Sequence, residues 1–318
     1  MPETREWTAS TPADRLDKAL VAAFPDLSRA RVQALIAEGA VHVNGEPARA
    51  SARVVPGQVV VLALPEVTAA EPLPQDIPVP VLHDDDDLIV VLKPAGMVVH
   101  PSAGHGDGTL VNALLHQASG LSGIGGVSRP GIVHRLDGGT SGVMVVAKHD
   151  VAHRALTAQF AIHSVERRYL AVVHRVPNLD RGTFRSQLAR DPDDRLRIAS
   201  VESGGREAVT HWAVRARGDR VALVECRLET GRTHQVRVHL TEAGHPILGD
   251  RTYARRDCVA PGPLRATVEA LTHPLLHAYC LAFDHPDTRK GRLRFVAPPP
   301  QDFVDTCALA GLPIPPIS

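Results

Sequence analysis

The chain has 318 residues, with 35 Lys and Arg against 35 Asp and Glu, so its formal net charge at pH 7 is zero. This length allows one large domain or two unequal ones with a substantial buried core. The balanced charge excludes an overall positive field as the means of binding nucleic acid, so any such contact must come from local basic patches.

The spacing of the cysteines and the composition of the N-terminus predict the cellular compartment of the protein. The four cysteines form no Cys-x-x-Cys pair, and a chain of this size needs no disulfide framework. The N-terminus lacks the apolar core of a signal peptide, and no apolar run approaches the length of a membrane span. We expect a cytoplasmic protein with no membrane partner. It is expected to be a monomer, because the sequence carries no oligomerisation signal.

The segment from Asp14 to Leu64 carries helix, turn and strand signals in close succession. Two apolar stripes predict two short helices, the second of which begins at an N-cap, Ser28, and ends at Gly39. Asn44-Gly45 between short apolar runs is typical of a hairpin, and a further strand is predicted over Val59 to Leu64. The sequence therefore predicts a small module with the order α-α-β-β-β.

A proline-rich stretch follows this module. Residues 65 to 80 contain five prolines and little periodicity, which predicts an extended linker. We therefore divide the chain into four parts: an N-terminal tail (1–13), the small module (14–66), a linker (67–80) and a large domain (81–318).

Two features of the large domain could indicate a metal site. Asp84 to Asp87 is an acidic run that lacks the spaced partners of a calcium loop, and we interpret it as a solvated turn. Two histidine pairs have helical spacing, His149 with His153 and His273 with His277. Neither pair carries the Glu of a His-Glu-x-x-His motif, and no third ligand is marked. We predict no metal.

A polar stretch from His134 to Gly142 lies between apolar runs at 130–133 and 143–147. This pattern predicts a strand, a tight turn and a second strand, with Asp137 at an exposed strand end. An Asp before two glycines usually bonds to its own backbone in a turn. Asp137 alone is therefore a weak candidate for chemistry.

Two later stretches are unusually polar for their surroundings. After a predicted helix over Val151 to Ile162, residues 166–173 form a predicted strand with Tyr169 near its start. Further on, residues 228–240 place Arg237 among alternating apolar and polar residues, which is typical of a strand. Polar residues at strand ends collect where sites form.

The small module resembles an S4 RNA-binding domain. The resemblance rests on four motifs: Arg15-Leu16-Asp17, Leu27-Ser28-Arg29, Ala40 to Gly45, and Pro56-Gly57-Gln58. Arg29 and Arg31 fall in the first turn of the predicted second helix, where their guanidinium groups could reach phosphates. We therefore predict that Arg29 and Arg31 bind RNA.

The large domain resembles the pseudouridine synthases of the RluA/RluC/RluD family, which isomerise uridine in structured RNA. The motifs that carry this resemblance are Lys93-Pro94-Ala95-Gly96, His134 to Gly142, Leu276-His277-Ala278 and Phe283 to Pro286. Two departures from the family pattern are Gly138-Gly139, where a larger or charged residue is common, and Leu92, where Asn or Asp is common.

The resemblance implies roles for four residues. The catalytic aspartate of the family falls on Asp137, its active-site tyrosine on Tyr169, and the arginine that pairs with the aspartate on Arg237. Arg135 matches the residue implicated in displacing the target base, and its guanidinium plane could fill the space that a flipped base leaves. None of these four positions is touched by the two departures.

The resemblance also implies the fold class and the substrate. We expect an α+β protein: an S4 domain followed by a synthase domain built on a mixed, mainly antiparallel β-sheet with flanking helices. The implied substrate is large-subunit (23S) ribosomal RNA. Alternatives are transfer RNA as the substrate of the same chemistry, a non-catalytic RNA-binding factor of ribosome assembly, and a glycosidase-like hydrolase, for which a second acid is missing.

The implied reaction needs few groups. It breaks the bond from N1 to C1′, joins C5 to C1′ and removes the proton from C5, with no redox step or external energy, so we expect no cofactor. One carboxylate must stay ionised beside a sugar carbon that becomes electron-poor, and a hydrogen-bonded arginine would keep it so. The sequence leaves open whether Asp137 attacks C1′, attacks C6 or promotes elimination to a glycal.

Overall fold

The structure is a computed structural model that describes residues 3–25, 27, 29–64, 72–101, 106–118, 121–122, 129–194, 197–253, 260, 262 and 264–317, with the side chains of residues 3, 30 and 31 left out. The chain divides into two compact units, Met1–Ala69 and Ala70–Ser318.

The small unit packs two helices on a four-stranded antiparallel sheet. Its elements are β1 (Glu3–Thr8), α1 (Leu16–Ala23), α2 (Arg29–Ala37), β2 (Val41–Val43), β3 (Glu46–Pro47) and β4 (Val59–Leu64), with strand order β1-β4-β2-β3. The apolar stripes of both helices are buried, at Leu16 and Leu20 in α1 and at Val32, Leu35 and Ile36 in α2. The predicted α-α-β-β-β order is confirmed, and the predicted N-cap, Ser28, lies outside the described residues.

The first residues of the small unit form a strand, which differs from our prediction. We predicted an N-terminal tail over 1–13, but β1 pairs with β4 along its whole length, from Glu3 opposite Leu64 to Thr8 opposite Val59. The segment is polar apart from Trp7, so its sequence carries little of the alternation that marks a strand. The pairing is instead made possible by the free edge of β4, which offers unpaired backbone groups to another strand.

The large unit is built on one ten-stranded sheet. Its strands are β5 (Val81–Asp84), β6 (Leu88–Lys93), β7 (Ser141–Ala147), β8 (Glu166–His174), β9 (Arg181–Arg190), β10 (Ile198–Val201), β11 (Arg206–Arg217), β12 (Val221–Leu228), β13 (Leu276–Asp284) and β14 (Arg292–Val296). The order is β10-β9-β11-β12-β8-β13-β7-β6-β5, with β14 beside β13. Among the strand pairs of the described residues, only β13 with β7 is parallel, which confirms the mixed, mainly antiparallel sheet.

Helices and loops cover both faces of the central strands. The helices are α3 (Leu110–Gln117), α4 (Asp150–Ala161), α5 (Gln235–Glu242), α6 (Leu264–Ala270) and α7 (Gln301–Leu309). In β8, Ala171 and Val173 join a core with residues of α3 and α5, whereas Leu170 and Val172 join a second core with residues of α6 and α7. This two-sided burial follows from the period of two in a strand.

Two predicted strands of the large unit were wrong. Residues 130–133 form no strand, and Ile132 makes only an isolated bridge with Val146. Gly131 interrupts the run: its φ is +70°, and a Cβ there would lie 2.3 Å from the carbonyl oxygen of Ala147. Around Arg237 the structure has a helix, α5, in which Gln235 to Thr241 are all buried. Because all sides of α5 are buried, the alternation of polar and apolar residues in this segment does not distinguish a buried face from an exposed one.

None of the helices in the described part of the chain combines the length and apolarity needed to cross a membrane.

Candidate active site

A cavity of about 560 Å³ opens on one face of the large sheet. Residues predicted from distant parts of the sequence meet in its wall: Asp137, Tyr169, Arg237 and Arg135 all line it. The loop before β7, the strand β8 and the start of helix α5 supply these four side chains. The structure therefore brings the three predicted catalytic residues and the predicted base-displacing arginine into one site.

Asp137 lies in a tight turn in which the Thr140 N–H donates to its carbonyl oxygen at 3.0 Å. Leu136 and Thr140 on either side are buried, and the Asp137 side chain retains 16% exposure. The carboxylate is thus half-buried in the cavity wall rather than at an exposed strand end. Gly139 permits close packing here, because a Cβ on it would lie 2.7 Å from Cδ of Pro274.

Arg237 connects Asp137 to a second carboxylate, Asp250. Its Nε and one terminal nitrogen donate to the two oxygens of Asp250 at 2.7 and 2.8 Å, and the other terminal nitrogen donates to Oδ2 of Asp137 at 3.3 Å. Asp250 is 3% exposed, and its Oδ1 also accepts from the backbone N–H groups of Thr252 and Tyr253. A guanidinium fork on a carboxylate fixes both distance and plane. Asp250 therefore fixes the position of Arg237, whose remaining terminal nitrogen donates to Asp137.

Arg237 stays protonated in this site. Burial alone would lower the pKa of Arg237, but the hydrogen bonds and negative charges of Asp250 and Asp137 raise it above its ordinary value. The guanidinium is also stacked over the Tyr253 ring, with its carbon 5.0 Å from the ring centre. A charged guanidinium therefore faces the Asp137 carboxylate across a hydrogen bond of 3.3 Å.

Tyr169 lies inside β8 rather than at its start, opposite Cys226 of β12. It is 9% exposed, and its side chain faces the cavity from the same side of the sheet as Cys226 and Ala171. Burial raises the pKa of Tyr169 to about 12. Near neutral pH the side chain therefore presents a protonated hydroxyl and an aromatic face.

Lys93 supports the turn from behind. It is fully buried at the end of β6, and its Nζ donates to the carbonyl oxygens of Pro94, Met97 and Gly138 at 2.8, 2.7 and 3.3 Å. Burial lowers the pKa of Lys93 to about 7, while the charge of Asp137 opposes that shift. Lys93 thus ties the loop after β6 to the glycine that follows Asp137.

The predicted RNA-binding residues of the small unit stand in a different setting. Arg29 is 46% exposed, and its Nε donates at 3.0 Å to Asp17, a carboxylate with no exposure. Arg15 and Gln33 donate to the same carboxylate. Arg31 belongs to α2, but its side chain is outside the described part of the structure. Part of the Arg29 guanidinium is therefore already engaged within the unit.

Comparison with known proteins places this site in a family. The RNA pseudouridylate synthase family matches residues 87–242, and the S4 domain family matches residues 14–60. A protein of Zymomonas mobilis named ribosomal large subunit pseudouridine synthase D is 47% identical over 91% of each chain. A protein of Aquifex aeolicus named as an uncharacterized RNA pseudouridine synthase is 44% identical over 89% of this chain and 90% of its own.

The chain belongs to the RNA pseudouridine synthase family. It is an isomerase that converts uridine in RNA to pseudouridine, and it carries an S4 RNA-binding domain. The solved structure of human RNA pseudouridylate synthase domain containing 4 agrees in fold, with a TM-score of 0.56 and 27% identity over 74% of this chain and 95% of that chain. The family and fold predicted from the sequence are confirmed.

Several residues of the synthase site escaped the sequence analysis. His234 has a left-handed backbone, with φ at +56°. Its Nδ1 lies 2.9 Å from the hydroxyl of Tyr253, and its Nε2 lies 4.0 Å from Oδ2 of Asp137. Burial lowers the pKa of His234. The only sequence signal for Asp250 is its place after Gly249 in a polar stretch, and no signal marks His234 or Tyr253.

The acidic run that was predicted to be a solvated turn is part of an ion network. Oδ2 of Asp85 lies 2.9 Å from both Nε2 of His285 and Nζ of Lys290, and Oδ1 accepts from the Leu88 N–H. Burial would raise the pKa of Asp85, but Lys290 and His83 hold it well below its ordinary value. Asp85, Asp87 and His285 also have the spacing of metal ligands. Lys290 already supplies a cation to that cluster.

Proposed function

We propose that this synthase isomerises specific uridines in large-subunit ribosomal RNA, with Asp137 as the essential carboxylate and without a cofactor. The observation that carries the proposal is the chain of hydrogen bonds from Arg237 to the buried Asp250 on one side and to Asp137 on the other, which holds Arg237 and Asp137 together in the cavity wall. The relatives named ribosomal large subunit pseudouridine synthase D, from Zymomonas mobilis and Xylella fastidiosa, support the choice of RNA, at 47% and 44% identity.

The reaction leaves the atomic composition of uridine unchanged. The bond from N1 to C1′ breaks, the uracil turns, C5 bonds to C1′, the proton on C5 leaves and N1 gains a proton. These steps need a carboxylate that is ionised beside the reacting ring atoms. Arg237 places an opposite charge 3.3 Å from the Asp137 carboxylate, whose side chain is 16% exposed. Because no electron is transferred overall, the chemistry itself requires no redox group.

Tyr169 has a different part in the proposal. With its pKa raised to about 12, the hydroxyl is a poor base at neutral pH. Its ring can stack on the uracil, as aromatic side chains do with unpaired bases. We therefore assign Tyr169 to holding the base. Arg135, which is exposed at the cavity mouth, is assigned to the space vacated by the flipped base.

The chemistry is tested with Asp137→Asn. The substrate is large-subunit ribosomal RNA transcribed in vitro with tritium on C5 of uridine, since each isomerisation releases that hydrogen to water. We expect tritium release to fall by at least about 10,000-fold, because removing one residue of a catalytic group in other enzymes lowers turnover by about 10⁴ to 10⁶, while RNA affinity stays within about twofold. Asp219→Asn, at an exposed turn, is the matched control. Wild-type release by the Asp137 variant would contradict the proposal.

The choice of RNA is tested in cells. Pseudouridines are mapped in total RNA from cells that lack this protein and from the same cells with the protein restored. We expect one or more positions in large-subunit ribosomal RNA to lose and regain the modification. If only transfer RNA positions respond, the substrate is wrong while the assignment of Asp137 stands.

A further inference from the structure

The walls of the active-site cavity are far more positive than the chain as a whole. Five arginines line the cavity, at 135, 167, 206, 232 and 237, and Asp137 is the only Asp or Glu that does so among the described residues. The whole chain, in contrast, balances 35 basic with 35 acidic residues. An excess of one charge in a concave site raises the local concentration of the opposite charge.

Within the part of the chain that the structure describes, only one of these five arginines pairs with carboxylates. Arg237 bonds to Asp250 and Asp137. Three others, Arg167, Arg206 and Arg232, form what we call the arginine wall. Among the described residues, none of the three forms an ion pair with a carboxylate. Glu207, which neighbours Arg206 in the chain, pairs with Arg185 instead.

The buried Arg167 and the partly buried Arg232 have backbone partners. Arg167 is 7% exposed, and one terminal nitrogen donates to the carbonyl oxygen of Glu229 at 2.7 Å, while its buried Nε has no hydrogen-bond partner. Arg232 donates through Nε to the carbonyl oxygen of Glu207 at 2.9 Å. Carbonyl oxygens orient a guanidinium but do not cancel its charge. Both guanidinium groups are therefore held in position, and neither positive charge is neutralised by a carboxylate of the described residues.

The three charges act on one another. Burial lowers the pKa of Arg232, and the charge of Arg206 lowers it further, while the charge of Glu207 partly opposes both. Burial also lowers the pKa of Arg167, and the charge of Arg232 lowers it further. Like charges held together without a salt bridge to a carboxylate destabilise a fold, so such a group is typical of a site that receives an anion.

The loop beside Arg167 leaves room for that anion. A Cβ on Gly231 would lie 2.5 Å from a terminal nitrogen of Arg167. A side chain at position 231 would therefore displace or cover the guanidinium. The exposed glycine keeps the path from solvent to the arginine wall open.

We propose that the arginine wall binds phosphodiester groups of the RNA strand immediately beside the target uridine. The inference rests on the proposed RNA substrate and names a binding site for its backbone. Guanidinium groups bind phosphate oxygens through paired N–H donors, and Arg is preferred for this over Lys. With the uridine placed at Asp137, the adjoining phosphates are the anions that the same cavity must accept.

The first test measures how salt changes RNA affinity. The dissociation constant for large-subunit ribosomal RNA transcribed in vitro is measured from about 50 to 200 mM salt for the wild type, Arg206→Gln and Arg232→Gln. Each variant should bind about tenfold more weakly, and its slope of log affinity against log salt should be shallower by about 0.7 to 0.9. Thermal unfolding of each variant accompanies the binding data.

Arg181→Gln is the matched control. Arg181 is an exposed arginine of β9 opposite Ala213, which in turn lies opposite Glu225 and, through it, Leu170 of β8. By this register it occupies the face of the sheet away from Tyr169. The proposal expects a small change in affinity and slope for Arg181→Gln. A change equal to that of the wall variants would mean that only the overall charge matters, and it would overturn the proposal.

The second test locates the phosphate. A hairpin is prepared around a uridine that the transcript shows to be modified, with single methylphosphonates, which lack the negative charge, at each flanking position. Wild type should lose about tenfold in affinity at one or two positions, and Arg206→Gln or Arg232→Gln should show no further loss there. Equal losses in wild type and both variants at every position would contradict the proposal. If wild type modifies no uridine in the transcript, the proposed function fails instead.

Discussion

Replacing Asp250 with Asn should separate the positioning of Arg237 from the chemistry of Asp137. Asp250 accepts two short hydrogen bonds from Arg237, at 2.7 and 2.8 Å, and is almost fully buried. An Asn side chain can keep one oxygen as an acceptor for the backbone N–H groups of Thr252 and Tyr253. Its amide nitrogen, however, would point a donor at the Arg237 donor.

The expected losses follow from these contacts. Breaking a buried ion pair by changing one partner typically costs 3–5 kcal/mol. Because the two backbone bonds survive, we expect about 3 kcal/mol of unfolding free energy to be lost. Arg237 would then move toward Asp137 or away from it, and a shift of about 1 Å in a catalytic array can lower turnover about 100-fold. RNA affinity should change little.

The assay compares Asp250→Asn with Asp137→Asn. Asp137 accepts only one long hydrogen bond from Arg237, at 3.3 Å, so its replacement should cost about 1 kcal/mol of stability but almost all activity. Urea unfolding gives the first quantity, and single-turnover tritium release gives the second. Asp250→Asn should therefore be the less stable of the two variants and the more active.

Two outcomes would refute this reasoning. If Asp250→Asn unfolds like wild type and turns over at the wild-type rate, the fork on Arg237 has no energetic importance. If it loses RNA binding while the bound complex reacts normally, Asp250 serves binding rather than the position of Arg237.

Three further predictions concern the supports of the site. Lys93 has a pKa of about 7 in the folded protein and about 10.5 in the unfolded chain, so between these pH values the folded state binds fewer protons than the unfolded state. The free energy of unfolding should therefore rise with pH in that range, by up to about 1.4 kcal/mol per pH unit. Urea unfolding of Lys93→Met, measured across the same pH range, should lack this rise. His234→Ala should melt below His234→Asn, because Asn tolerates a left-handed backbone, and equal melting temperatures would contradict this. Gly142→Ala should yield little folded protein, since its Cβ would lie 2.4 Å from the Ala278 oxygen, whereas Gly106→Ala meets nothing within 4 Å and should fold.

Local signals were sufficient for most of the small unit. Apolar spacing, Asn44-Gly45 and Gly39 each act within a few residues, and Asn44 and Gly45 indeed have left-handed backbones, with φ of +50° and +87°. The strand β1 could not be predicted in this way. Its pairing with β4 joins residues more than 50 positions apart and owes little to its own polar sequence.

Prediction of the site depended on a resemblance rather than on periodicity. Asp137 and Arg237 are 100 positions apart in sequence, and no local pattern links them. The alternation around Arg237 predicts a strand where the structure has a helix, because burial on all sides removes the polar face from which a helix is recognised. Asp250 could not be found because its importance lies in the fork that it makes with Arg237. The catalytic roles of Asp137, Tyr169 and Arg237 stay predictions until the variants are measured.

The parallel pair of β7 with β13 has a consequence for synthesis on the ribosome. The turn of Asp137 leads into β7, whose Ser141 hydroxyl bonds to His277 of β13 at 2.8 Å across 136 positions of sequence. Chains grow from the N-terminus, so the ribosome makes Asp137, Tyr169 and Arg237 before it makes β13. In the sheet, β13 lies between β7 and β8. A nascent chain can complete the S4 unit at Leu64 and yet hold no assembled catalytic site until β13 has emerged.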